Sequence, residues 1–367
     1  MRILDDAVVI KDTYEIERFL GEGAFAEVYR VKHRFLGRQA MKVFKRTGMT
    51  VEEIEKMLGE AIMLSRIGHP NIVRVFDANV FESAKGLQGY FTMENVSGGS
   101  LEKFWHSHGT RLVPIETTID LIKQVCRGLS VAHRHNPPII HRDIKPQNIL
   151  VGYENDGLRA RISDFGLAKS VNPLTLLATA AGTPAFKPPE AFTSSKGDSC
   201  SADIWAIGTT LYLLLTDKLP FDMPSEFGWG NCTAIEDQFK APSQINPDSN
   251  SSLDNITRKA LSFDPAKRYQ NASELLDALE KWKPGHQRTS SQAQRNQSGW
   301  SKTALGSPLS SANQEEAEAI VRQALTLKEN GLLSDAADAM EEAFNKSPIL
   351  RNRYNNMVKL WRCGISM

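Results

Sequence analysis

The feature that most constrains this chain is an octapeptide, His-Arg-Asp-Ile-Lys-Pro-Gln-Asn, at residues 141–148. Short apolar runs precede and follow it, which predicts two strands joined by a polar turn. The turn therefore displays the carboxylate of Asp143, the ammonium of Lys145 and the amide of Asn148. A carboxylate can accept a hydroxyl proton, a lysine can balance phosphate charge, and an amide oxygen can hold a metal ion. This combination is typical of a phosphoryl-transfer site.

The octapeptide resembles the catalytic loop of the eukaryotic-type (Hanks-type) protein kinases, and further motifs of that family follow in order between residues 14 and 282. Asp-Phe-Gly at residues 164–166 follows a predicted strand and begins sixteen residues beyond Asn148. Lys145, two residues after Asp143, matches the Ser/Thr type of kinase and not the tyrosine type. The resemblance implies a Ser/Thr protein kinase that uses ATP and Mg²⁺ and acts on protein hydroxyl groups.

The resemblance also implies an α+β, bilobal protein-kinase fold, with a small five-stranded antiparallel lobe and a large helical lobe. The hydrophobic patterning agrees with this fold. Alternation predicts strands at residues 14–20, 39–44, 73–81 and 89–95, with one more in the run that follows the glycines and ends at residue 31. Helical spacing is present at residues 51–67, 117–133, 203–215, 253–261 and 272–282.

Changes in composition divide the chain into four parts. Residues 1–13 are an N-terminal extension, and residues 14–283 form the kinase domain. Residues 284–312, rich in Ser, Gln and Asn, are typical of a flexible linker. In residues 313–367, small and apolar residues follow the spacing of one tetratricopeptide repeat, although a plain helical hairpin has similar spacing. This appendage is acidic at first and basic at its end, which predicts docking in cis or onto a protein partner.

The resemblance implies that conserved kinase positions hold the ATP phosphates and the metal ions. Lys42, oriented by Glu60, would pair with the α- and β-phosphates. Asn148 and Asp164 would hold two Mg²⁺ ions, because oxygen donors suit this hard cation. Ala26 stands where the family has the third glycine of its glycine-rich loop, a departure of one methyl group.

The adenine would lie between the two lobes. Met93 occupies the gatekeeper position, and the backbones of Glu94 and Val96 would offer hydrogen bonds to the adenine edge. The remaining residues that the resemblance assigns to ATP binding are Gly21, Glu22, Gly23, Ala24, Val28, Ala40 and Leu150.

Three residues would carry out the transfer itself. Asp143 would orient the substrate hydroxyl and accept its proton, while Lys145 would neutralise the transferring phosphoryl group. Thr183 would brace both side chains through its hydroxyl. Glu190 and Arg268 would form an ion pair whose role is structural.

The segment between Asp-Phe-Gly and Thr183 predicts a switch. Arg142 precedes the catalytic aspartate, and its fixed charge needs an anion. Residues 167–182 contain no acidic side chain, so we expect autophosphorylation at Thr179, four residues before Thr183. The alternative is that the leucines of this segment order it by packing alone.

Composition narrows the possible partners. The 367 residues are 41% hydrophobic and 24% charged, which is ordinary for a globular protein. A net charge of +1 predicts no strong electrostatic attraction to nucleic acid or to a membrane surface. Four scattered cysteines and the lack of a leader-like apolar run predict a cytoplasmic protein. We expect protein substrates, no nucleic acid and no membrane.

Two other classes of function compete with an active protein kinase. One is a pseudokinase-type scaffold that binds partners through its tail; the presence of Lys42, Asp143, Asn148 and Asp164 argues against it. The other is a small-molecule kinase of related fold. Such enzymes lack the polypeptide-docking segment that residues 182–190 resemble.

Overall fold

An antiparallel sheet forms the small lobe. The computed structural model describes residues 2–23, 26–47, 50–55, 59, 68–83, 86–109, 112–154, 157–165, 184–193, 199–221, 238–284, 311–347 and 349–362. Within this part of the chain, the strands of the sheet are β1 (Val9–Ile10), β2 (Tyr14–Glu22), β3 (Ala26–His33), β4 (Gly37–Phe44), β5 (Val75–Ser83) and β6 (Gly86–Glu94). Their spatial order is β1-β2-β3-β4-β6-β5.

The five predicted strands of the small lobe are present, and the N-terminal extension adds a sixth, β1. Val9 and Ile10 pair with Glu15 and Tyr14 at the edge of β2. Two residues are too few to show a strand periodicity, so the sequence carried no signal for this strand. Leu4 of the same extension is buried, and its N–H donates to the Tyr29 hydroxyl at 3.0 Å. The extension therefore closes one face of the sheet.

The other face of the sheet points towards the residues that were predicted to bind ATP. Along β3, Tyr29 and Val31 belong to the apolar cluster under the extension, whereas Val28 packs with Ala40 and Met93 in a separate cluster. This division follows from strand geometry, since successive side chains point to opposite faces. The sheet thus has one structural face and one face that lines the cleft.

Helices dominate the large lobe. Within the described residues they are α1 (Leu101–His106), α2 (Ile115–His133), α3 (Glu190–Thr193), α4 (Cys200–Thr216), α5 (Ser251–Ala260) and α6 (Ala272–Lys281), accompanied by the hairpin of β7 (Ile149–Glu154) and β8 (Gly157–Ile162). The main core packs α2 against α4, α6 and this hairpin. The predicted bilobal α+β fold is confirmed.

The predicted strand before the octapeptide is wrong. Residues 139–140 are buried but belong to no strand, and β7 pairs with β8 instead. The N–H groups of His141 and Arg142 donate to the carboxylate of Asp203 on α4. These donors are therefore not available to a strand ladder.

Three further helices form the appendage: α7 (Ser311–Glu329), α8 (Leu333–Lys346) and α9 (Ile349–Arg362). They enclose a small core of their own, which contains Val321, Met340, Phe344 and Trp361. The helical nature of the appendage is confirmed, and its tetratricopeptide type stays a prediction. None of the described helices is both long and apolar enough to cross a membrane.

Candidate active site

A buried aspartate of α4 anchors the catalytic turn through its backbone. Asp203 accepts the backbone N–H of His141 at 2.8 Å and that of Arg142 at 2.9 Å, one on each carboxylate oxygen. Burial alone would raise the pKa of Asp203, but the hydrogen bond and charge of His133 and the backbone hydrogen bond from His141 hold it below its usual value. The group therefore stays ionised. The side chain of Ser199, and not that of Asp203, caps the N-terminus of α4.

His141 connects the catalytic turn to the strand that carries Asp164. Its Nδ1 accepts the Asp143 N–H at 3.2 Å, and its Nε2 lies 2.8 Å from the Ser163 carbonyl oxygen. Complete burial lowers the pKa of His141, so the neutral Nε2–H tautomer fits both contacts. The ring also lies 4.5 Å from the Phe165 ring. No sequence pattern indicated a separate role for this histidine.

The structure brings Asp143, Lys145 and Asn148 into direct contact. Lys145 Nζ lies 2.8 Å from Asp143 Oδ2, and Asn148 Nδ2 donates to the same oxygen at 2.8 Å. Asn148 Nδ2 also donates to the Asp143 carbonyl oxygen at 2.8 Å. The asparagine and the lysine thus orient a partly exposed carboxylate, as a positioned base requires.

Lys42 and Asp164 meet across the cleft between the lobes. Lys42 Nζ on β4 lies 2.6 Å from Asp164 Oδ1 in the large lobe. Asp164 has a left-handed backbone with φ of 65°, which is uncommon for a residue other than glycine. Glu60, the predicted acidic partner of Lys42, lies outside the described residues.

The donor atoms near the catalytic turn fit the metal that the resemblance implies. Asn148 uses Nδ2 for Asp143, so the amide oxygen is the atom left to bind a cation. Asp164 adds a partly exposed carboxylate. Amide and carboxylate oxygens are the ligands that Mg²⁺ prefers, together with the phosphates of a bound nucleotide.

Four of the residues predicted to bind ATP gather in one apolar cluster. Val28, Ala40, Met93 and Leu150 pack together, although they come from both lobes. Leu20 packs against the same cluster and was missed; the only signal was its place directly before the glycine-rich loop.

The segment that connects the lobes (residues 94–100) lies very close to β7. Glu94 ends β6, and Val96 follows two residues later. The Val151 N–H donates to the Gly99 carbonyl oxygen at 2.8 Å. A Cβ on Gly98 would lie 2.0 Å from the Val151 carbonyl oxygen, so only glycine fits there.

The glycine-rich loop closes as a hairpin between β2 and β3. Gly21 and Glu22 end β2, and the Gly23 N–H donates to the Ala26 carbonyl oxygen at 2.8 Å. The Glu22 carboxylate contacts Lys45. Ala24 lies outside the described residues.

Residues 14–282 match the family described as protein kinase domain. The chain belongs to the protein kinase family. A probable serine/threonine-protein kinase of Clostridium acetobutylicum is 33% identical over 275 residues, which are 74% of this chain and 40% of that protein. PknB of Mycobacterium leprae, a serine/threonine-protein kinase, is 30% identical over 275 residues, 72% of this chain and 42% of PknB. The crystal structure of the Mycobacterium tuberculosis PknI kinase domain is 25% identical, with a TM-score of 0.56, and covers 76% of this chain and 98% of that one.

These matches concern the kinase domain, and the chain spans about two fifths of the length of both curated relatives. The similarity to the PknI kinase domain agrees with the bilobal fold described above. The matched region, residues 14–282, ends before α7, so the appendage lies outside it.

The ion pair predicted within the kinase domain is present. Glu190 accepts from Arg268 Nη1 at 2.6 Å and from Nη2 at 2.8 Å, a bidentate arrangement. The guanidinium also lies 4.9 Å from the Trp205 ring. This pair ties the start of α3 to the segment after α5.

Lys187 makes a contact that sequence reasoning missed. Its ammonium donates to the backbone carbonyl oxygen of Arg142, the residue before Asp143. The segment that resembles a polypeptide-docking loop is thereby linked to the catalytic turn of the kinase domain. Thr179 and Thr183 lie outside the described residues.

Proposed function

We propose that this chain is an active Ser/Thr protein kinase that transfers the γ-phosphoryl group of ATP to Ser and Thr hydroxyls of proteins. The observation that carries the proposal is the contact of Asp143 with both Lys145 and Asn148. Lys42 and Asp164, paired across the cleft, supply the nucleotide side of the same site.

In this proposal each side chain has one task. Asp143 orients the substrate hydroxyl and accepts its proton, and Lys145 stabilises the charge of the group in transfer. Lys42 holds the α- and β-phosphates. Asn148 and Asp164 hold Mg²⁺, which when bound neutralises phosphate charge.

Further residues complete the proposed ATP site and brace it. The adenine packs in the cluster of Val28, Ala40, Met93 and Leu150. The hydroxyl of Thr183 braces the catalytic pair.

The substitution Asp143→Asn tests the assignment. The amide has the same shape but cannot accept the proton, so phosphoryl transfer should fall by about 10²–10⁴-fold with nucleotide binding retained. The measurement is incorporation of labelled phosphate from ATP into a generic protein substrate. Asp277→Asn, the same change at an exposed position of α6, is the control and should have no effect. Equal turnover in the two variants would refute the role of Asp143; a wild-type chain that binds ATP without transfer would be a scaffold.

We further propose that Thr179 is an autophosphorylation site. The phosphate would pair with the Arg142 guanidinium and would order the segment before Thr183. Mass spectrometry of the active protein should find phosphate on Thr179, and Thr179→Ala should lower activity. Full activity of Thr179→Ala without phosphate elsewhere in residues 167–182 would show that apolar packing orders the segment.

A further inference from the structure

Three arginines form a basic surface on the small lobe. Arg18, Arg30 and Arg38 come from the neighbouring strands β2, β3 and β4, and the strand register places Arg18 directly opposite Arg30. Glu17 lies 2.8 Å from both Arg30 and Arg38. One carboxylate cannot balance three guanidinium groups, so this surface keeps an excess of positive charge.

Helix α8 presents an acidic stripe to this basic surface. The stripe consists of Asp335, Asp338 and Glu342, which recur at helical spacing. Asp335 pairs with Arg38, Asp338 Oδ2 lies 3.8 Å from Arg30 Nη1, and Glu342 Oε2 lies 3.4 Å from Arg18 Nη1.

The pairs at the centre of this contact are partly removed from solvent. The Asp338 side chain is only 11% exposed, whereas the outer pair of Arg18 and Glu342 is half-exposed. Burial and the charge of Arg18 lower the pKa of Arg30, which shows how crowded the cations are. Single exposed ion pairs add little, but a network that shares partners holds better.

The same module also contacts the connecting segment and the large lobe. The Ser97 hydroxyl donates to the carboxylate of Glu341, a fully buried residue of α8. The Arg351 guanidinium on α9 lies 4.2 Å from the Tyr153 ring and 5.6 Å from the Phe104 ring. Tyr153 and Phe104 belong to β7 and α1 of the large lobe, and a cation over an aromatic face is attracted to it.

The ion pairs between α8 and the small lobe lie next to the residues that are proposed to bind ATP. Arg30 is two residues from Val28, and Arg38 is two residues from Ala40. Each arginine therefore shares a sheet face with a side chain that is proposed to contact the adenine. Lys42 of the small lobe reaches Asp164 of the large lobe at 2.6 Å. A rotation of the lobes that separates this pair would also pull the module away from one lobe.

We propose that helices α7–α9 are an in-cis brace. The acidic stripe docks on the basic surface while Arg351 holds the large lobe, and together they fix the angle at which Lys42 meets Asp164. Undocking lets the lobes sample other angles, and the apparent affinity for nucleotide then falls with the fraction of competent molecules. This role goes beyond phosphoryl transfer and rests only on nucleotide binding in the cleft.

The substitution Asp335→Arg in the full chain tests the brace. It places a cation against Arg38, where an ion pair now stands, so α8 should undock and its amides should exchange faster with solvent. The dissociation constant for a non-hydrolysable ATP analogue with Mg²⁺ should rise by about threefold to tenfold, as for a competent fraction of about one third to one tenth. Arg38→Asp combined with Asp335→Arg restores opposite charges and should recover both readouts.

Glu318→Arg is the matched control, because it makes the same charge change at an exposed position of α7. It should leave hydrogen exchange and nucleotide affinity as in the wild type. The brace is refuted if Asp335→Arg leaves α8 docked, if α8 undocks while affinity stays equal or improves, or if the charge swap restores neither readout. Since binding is measured, a chain that binds nucleotide without transferring phosphate would contradict the proposed function and not the brace.

Discussion

The ion pair of Glu190 and Arg268 allows a quantitative prediction for Glu190→Gln. The Arg268 side chain is 0% exposed and the Glu190 side chain is 17% exposed. Glutamine keeps one acceptor oxygen, but its NH₂ group faces a guanidinium nitrogen and its charge is lost. Loss of one partner of a buried ion pair typically costs about 3–5 kcal/mol, because the other charge stays buried.

The surroundings of Arg268 favour the lower end of that range. The guanidinium keeps hydrogen bonds to the carbonyl oxygens of Ser262 at 2.6 Å and Ser201 at 3.3 Å, and its place over Trp205. These groups continue to stabilise the cation. We therefore expect a loss of about 3 kcal/mol in the free energy of unfolding, equivalent to a fall of roughly 4–5 °C in Tm for a domain of this size.

Urea denaturation, with tryptophan fluorescence as the readout, measures the change in the free energy of unfolding. The midpoint should fall while the slope m stays constant, because the surface exposed on unfolding is the same. Glu280→Gln is the control: Glu280 pairs with Arg127 at 3.3 Å, but the two side chains are 49% and 43% exposed. That pair should be worth at most about 1 kcal/mol. Equal shifts in the two variants would refute the reasoning, as would lost activity at unchanged stability.

Two further predictions concern the connecting segment and the catalytic turn. In Gly98→Ala the new Cβ would meet the Val151 carbonyl oxygen, so the backbone must move; we expect a loss of about 1–3 kcal/mol by urea denaturation and weaker binding of an ATP analogue. His141 is held neutral in the fold, so protonation in the unfolded chain below the ordinary pKa of 6.5 favours unfolding. Between pH 7.5 and 5.5 the wild type should therefore lose up to about 1.4 kcal/mol more than His141→Asn, and identical pH profiles would contradict this.

The arrangement of the catalytic turn was predictable because its residues are neighbours in the chain. Asp143, Lys145 and Asn148 lie within eight residues, so a single turn brings their side chains together. Strands and helices of the two lobes were predictable from periodicity, as in β4 and α2. Resemblance to the family added the distant pair of Glu190 and Arg268, which no local pattern indicates.

Contacts without a periodic signal were missed. The strand β1 has two residues, and its partner β2 provides the ladder that makes it a strand. Lys187 reaches a backbone carbonyl oxygen, an acceptor that every residue carries and that no sequence pattern distinguishes. The tautomer of His141 likewise depends on one acceptor, the Ser163 carbonyl oxygen, and one donor, the Asp143 N–H, which the fold places beside the ring.

The sequence by itself determined most of the strands and helices, the composition of the catalytic turn and the acidic character of α8. Only the tertiary structure decided where that acidic helix binds. Asp335 and Arg38 are almost three hundred positions apart in the chain, yet they are paired in the fold. A Coulomb interaction depends on the distance between charges in space, and it leaves no periodicity in the order of residues. For that reason the basic surface and its partner helix became visible only when the chain was folded.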